Sequence, residues 1–230
     1  MRILLFSSIH IQDRAQADSL SSDLTDWKRR CESAFKIPPN MFLVERGEYQ
    51  PTTLSLPVIS AHIPDSKPYH CKDWSYGVAA GHVGLHYAMQ QPFDLCIIFA
   101  TDAILGVPLQ DIAEEFMTRS EIAAGPLWHG SPDTHLILLK KQGVIDMLYS
   151  IPFTPLGANR IYFEHALSIA FHGRWWNPWP EIKTVRQEYN TPELYQGTDE
   201  EIIKSWPILA KASPELIRAY KQARPIPLTA

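Results

Sequence analysis

Apolar positions follow two different periods along this chain. Arg2 to Ile11 is a short, nearly continuous apolar run, the pattern of a buried strand. From Ser21 to Phe35 the period lengthens. Leu24, Trp27, Cys31 and Phe35 fall on one face with charges opposite, which predicts a helix. Ser22 or Asp23 would cap it, and Pro38–Pro39 would stop it. Met41 to Val44 predicts a second short strand, and Glu45–Arg46–Gly47–Glu48 a polar turn after it. A strand, helix, strand opening favours a parallel sheet.

Residues 50–72 are rich in Pro, Ser and Thr and lack a clear period, which predicts a long surface connection with one edge strand from Leu54 to His62. Ser75 to Gln90 turns helical. Val78, His82, Leu85, His86 and Met89 share a face, and Gly77, Gly81 and Gly84 allow close approach to a neighbour. Phe93 to Ala100 is a continuous apolar run, as expected of a central strand covered on both faces, and it ends in Thr101–Asp102. Further on, the pattern predicts a helix at Asp111 to Arg119, a strand and turn at Ile122 to Trp128 and a strand at Thr134 to Leu139. Helices are expected at Val144 to Tyr149 and Ile161 to Phe171. The tail carries two helices, one opened by the capping box Thr198–Glu201 and one by Ser213 with Pro214 behind it. The expectation is an α/β fold with a mostly parallel central sheet flanked by helices. Residues 1–190 would form the main unit and residues 191–230 a helical extension of the same domain.

Composition narrows the functional classes. In 230 residues, 45% are hydrophobic and 20% charged, enough to bury a sizeable core. The formal net charge is -4, and the basic residues form only pairs such as Arg29–Arg30 and Lys140–Lys141, so charge does not support a nucleic-acid partner. Cys31, Cys71 and Cys96 have neither disulfide-framework nor zinc spacing and read as plain thiols. The opening MRILLFSSIHIQ has too short an apolar run for a secretory leader, and no stretch reaches the roughly 20 apolar residues of a membrane span, so a cytoplasmic location is expected.

Ligands of open parallel sheets bind beyond the carboxyl ends of the strands. That directs attention to Ser7–Ser8, Glu45–Glu48 and Asp102. Asp102 could hold a divalent cation against a diphosphate, or simply cap a turn. Glu164, among aromatic and aliphatic neighbours at the start of a helix, could act as a general base or merely complement the helix dipole. His82 and His86 sit at i, i+4 without the glutamate of a zinc protease motif and read as core histidines. His172, before Gly173, could contact a metal or phosphate, or balance a helix C-terminus. Trp175, Trp176 and Trp179 could stack on a sugar or fill the core. Phosphate-loop, dinucleotide and nucleophile-elbow motifs are absent from the sequence.

The order of these features resembles the GT-A-fold glycosyltransferases, particularly their compact family-2-like type. Trp74 to Leu105 resembles the helix and strand leading to the family's DxD metal motif. Ala123 to Trp128 and His135 to Lys141 resemble the strands after it, and Phe163 to Asn177 the acidic motif with its trailing Gly–Trp. The departures are specific. Ala100–Thr101–Asp102 keeps only the last acid of DxD. Glu164 stands at the base position in the register where Leu167 meets the family's leucine. Gly81–His82 replaces the family's Arg–Asn pair.

The resemblance implies a hexosyltransferase-like enzyme using a nucleotide-sugar donor. Ser8, Glu45, Glu48 and Asp102 would bind the donor. Asp102 and His172 would hold Mn²⁺ or Mg²⁺, Glu164 would be the base, and Trp175 and Trp176 would flank the acceptor. The alternatives are a sugar nucleotidyltransferase, for which the loop SSIHIQDR offers only Arg14, and a non-catalytic binding or assembly module on a decayed fold of this type.

Overall fold

The computed structural model describes residues 1–9, 11, 13–45, 56–60, 81–128, 130–150, 163–179, 198–205, 208–210 and 212–226. The strands are β1 (Ile3–Ile9), β2 (Asn40–Glu45), β3 (Val58–Ser60), β4 (Leu95–Phe99), β5 (Ala103–Leu105), β6 (Ala123–Ala124), β7 (Leu127–Trp128), β8 (Ser131–Pro132), β9 (Leu136–Lys140), β10 (Trp175–Trp176) and β11 (Ile208–Ala210). The helices are α1 (Arg14–Ser33), α2 (81–88), α3 (Gln110–Thr118), α4 (Lys141–Ser150), α5 (Phe163–Ala170), α6 (Asp199–Ser205) and α7 (Pro214–Ala223).

Seven strands form one sheet in the order β10-β6-β9-β4-β1-β2-β3. All run in one direction except β9, which pairs antiparallel with both β4 and β6. The apolar run of β4 is explained by its place between β1 and β9, covered on both faces. Alternation along the strands sorts their side chains into two cores. Leu5, Leu43, Ile97 and Leu138 face α1 and α3. Phe6, Phe42, Cys96 and Leu139 face α2, α4 and α5. On the second face Phe6 stacks on Phe42 at 4.9 Å. A Cβ at Gly84 would overlap the Phe6 ring, so the small position expected in this helix brings α2 onto β1. His82 is buried as expected, but His86 is exposed. Gly77, Cys71 and most of the 50–72 connection lie outside the described residues.

Two local expectations are corrected. Helix α1 starts two turns earlier than its apolar face, where Asp13 accepts from the Gln16 amide at 2.8 Å. Residues 14–19 offer only alanines among polar groups, so they show no apolar stripe. Glu45 is not in a turn; it is the fully buried last residue of β2.

The extension beyond residue 191 is more than helical. Between α6 and α7, β11 pairs antiparallel with β5, and Ile202, Leu209, Leu216 and Tyr220 form a third small core. Three residues are too few to display a period. Both expected caps are present. Thr198 and Glu201 bond reciprocally, with Thr198 N to Glu201 Oε2 at 2.7 Å, and Ser213 accepts from the Leu216 amide at 3.2 Å. Cys31 and Cys96 are fully buried free thiols. No described helix is long and apolar enough to cross a membrane.

Candidate functional site

The carboxyl ends of three neighbouring parallel strands bring Ser8, Glu45 and Asp102 to one edge of the sheet. Ser8 lies opposite Val44, and the next pair is Ile9 with Glu45. On the other side of β1, β4 ends at Phe99 and the chain turns through Ala100, Thr101 and Asp102, with the Ala103 amide donating to the Ala100 carbonyl at 3.3 Å. Asp102 is exposed on this turn. Strand alternation separates the other two. Ser8 continues the row of Leu4 and Phe6 toward α2, and Glu45 continues the row of Met41 and Leu43 toward α1.

Glu164 reaches the same edge from α5. Strand β9 begins where β4 ends, since Leu136 pairs with Phe99. One residue earlier, the His135 carbonyl accepts from the Ala100 amide at 2.9 Å. Next to it, Thr134 Oγ1 lies 3.5 Å from Glu164 Oε1. A short path of bonded neighbours thus runs from the Asp102 turn to the Glu164 carboxylate.

His172 is not brought to Asp102. It follows α5 and is exposed. The Arg174 carbonyl accepts from the Ile122 amide, and the Ile122 carbonyl from the Lys140 amide, level with Leu95 at the start of β4. Helix α5 runs back along the sheet, so its first residue meets one edge and its last the other. Glu48 lies outside the described residues. Among the described residues, no group of three or more His, Cys, Asp and Glu is placed to hold a metal ion. One carboxylate suffices for Mg²⁺ or Mn²⁺ only where phosphate oxygens and water complete the shell.

Trp175 and Trp176 form β10, the sheet's last strand, and both are half-buried. Trp175 donates to the Gly125 carbonyl at 3.1 Å and packs on Phe171. Trp176 stacks on Phe116 at 6.0 Å with the Arg119 guanidinium 4.7 Å from its ring. These contacts tie the sheet edge to α3 and α5. Trp179 is buried in the first core.

On the α1 side, a cleft of about 390 Å³ opens beside Asp102, bounded by Trp27 and Asp23 of α1, Ile104 of β5 and Ile217 and Lys221 of α7. Within it, the Asp26 carboxylate lies 2.9 Å from Lys221 and 3.1 Å from Arg30. Burial works against ionisation of Asp26, but these cations outweigh it and hold its carboxyl below the ordinary range.

Sequence reasoning missed Asp133 and His135. Asp133 Oδ1 accepts from the His135 main-chain amide at 2.9 Å and lies 2.6 Å from its ring Nδ1, with both side chains buried. The available signal was Asp-x-His directly before a strand, a spacing that lets one carboxylate meet both groups.

No protein-family model and no curated sequence matches the chain. Solved structures do. A glycosyltransferase of Streptococcus pneumoniae, GlyE, matches at 11% identity and a TM-score of 0.47 over 76% of this chain, which spans only 44% of that structure's length. The galactosyltransferase LgtC, held with donor and acceptor sugar analogues, matches at 11% identity and a TM-score of 0.52, covering 76% of this chain and 72% of LgtC. A putative glucose-1-phosphate thymidylyltransferase from Bacillus anthracis matches at 10% identity and a TM-score of 0.51, covering 100% and 97%. With its sheet order, its helices on both faces and the Asp-bearing turn after β4, the chain has a fold of the GT-A type.

Proposed function

We propose that the chain transfers a sugar from a nucleotide-sugar donor to an acceptor hydroxyl. The observation that carries this reading is the path Ala100–His135 and Thr134–Glu164, which sets an exposed aspartate and a helix-borne glutamate at the same end of the sheet. Asp102 holds the donor's diphosphate side, with Ser8, at the same end of the sheet, toward the nucleoside. A divalent cation, Mn²⁺ or Mg²⁺, shared by Asp102 and the donor would neutralise the departing diphosphate. Glu164 takes the proton of the acceptor hydroxyl as its oxygen attacks the anomeric carbon and the nucleoside diphosphate leaves. Direct displacement of this kind inverts the anomeric centre.

A thermal-shift screen tests the donor half without an acceptor, because a ligand bound only to the folded state raises its stability. The panel is UDP, GDP, CDP and their sugar conjugates, with and without Mn²⁺. The expected result is a Mn²⁺-dependent shift with one nucleotide, lost in Asp102→Ala. Glu164→Gln keeps that shift and loses transfer. No shift across the panel would move the reading to a non-catalytic module.

End-to-end correspondence with the thymidylyltransferase supports a second reading, a sugar nucleotidyltransferase. It predicts pyrophosphate release from a nucleoside triphosphate and a sugar 1-phosphate, and no hydrolysis of nucleotide sugars.

A further inference from the structure

We propose that Asp133 and His135 are positioning residues, and that residues 133–135 form one junction holding the Asp102 turn and Glu164 in register. This rests on the transferase reading for its chemistry, but not for its geometry.

Three consecutive residues reach three separate elements. The Asp133 amide donates to the Pro126 carbonyl at 2.9 Å, which closes the base of the β7–β8 hairpin. Thr134 Oγ1 points at the Glu164 carboxylate. The His135 carbonyl takes the Ala100 amide. What fixes the three directions is the Asp133 side chain. Its Oδ1 meets the main-chain amide and the ring nitrogen of the same residue, His135, at 2.9 and 2.6 Å. A carboxylate accepting from i+2 in this way locks the backbone of the residue between them, here Thr134. The pair is buried, 8% and 5% exposed at the side chain, so water competes poorly for these bonds. Alternation along β9 puts the His135 ring on the sheet face of Ile137 and Leu139, the face covered by α5. The ring therefore lies on the side of the sheet from which Glu164 approaches. Removing the Asp133 carboxylate would free Thr134 and loosen both contacts at once. Removing the Thr134 hydroxyl would disturb only the Glu164 side.

Hydrogen–deuterium exchange of the full chain tests this directly. Asp133→Ala and His135→Ala should speed exchange in segment 99–103 by about tenfold, the scale of one buried hydrogen bond lost to local opening. Asp133→Asn, which keeps an acceptor oxygen, should restore most of the protection and serves if the alanine variant does not fold. Thr134→Val should leave segment 99–103 unchanged. With the nucleotide that shifts the wild type, Thr134→Val should lower kcat for donor hydrolysis at unchanged KM, whereas Asp133→Ala raises KM as well. Unchanged exchange at 99–103 in a folded Asp133→Ala protein would overturn the junction. If no nucleotide binds the wild type, the transferase reading fails while the exchange result still decides the junction.

Discussion

Arg30 and Arg224 are 194 residues apart, and Arg30 Nη1 donates to the Arg224 main-chain carbonyl at 2.9 Å. The Arg224 guanidinium in turn donates to the carbonyls of Gly106 at 3.1 Å and Ile203 at 3.0 Å, and faces the Tyr220 ring. One residue near the end of the chain thus pins α1, the segment after β5 and the end of α6. Because β5 follows directly on the Asp102 turn, the C-terminal extension is built into the wall of the candidate site.

Arg224→Ala should therefore destabilise the protein by about 2–4 kcal/mol, since several carbonyls lose a charged donor at once. Urea denaturation measures it. Arg224→Lys should recover little, because an ammonium cannot fork between carbonyls on different segments. A midpoint unchanged in Arg224→Ala would mean that β5–β11 pairing and the third core hold the extension without it.

Asp26 should give the stability a defined acid limb. Lys221 and Arg30 hold its carboxyl below the ordinary value against the opposing effect of burial. The folded state thus favours the ionised form. The stabilisation is complete above the unfolded carboxylate value and is lost as pH falls through the folded one. Thermal midpoints measured from neutral to acid pH should fall less steeply in Asp26→Asn than in the wild type. Parallel curves would show that the ion pairs contribute nothing.

Trp176 separates a packing role from an acceptor role. It stacks on Phe116 beneath the Arg119 guanidinium, so Trp176→Ala should cost about 2–4 kcal/mol of stability. Trp176→Phe should recover most of that. Transfer lost in the phenylalanine variant at wild-type stability, with donor hydrolysis intact, would instead assign the indole to the acceptor.

Much of this architecture was legible in residue order. β1, β4 and α3 announced themselves because burial on one or two faces imposes a period that local composition displays. Asp13 and the short strands β5, β8 and β11 did not, because a cap needs no apolar stripe and two or three residues carry no period. Asp102 and Glu164 were legible as an acid after an apolar strand and an acid at a helix start. Only the tertiary structure decided their company. Strand register put His135 beside Ala100 and carried Thr134 to Glu164, while the length and direction of α5 sent His172 to the far edge of the sheet. Residue order displays the longer buried strands and helices, through interactions a few positions apart. Which side chains share a site depends on the alignment of strands and helices distant in the chain, and that alignment exists only once the sheet has closed between its two cores.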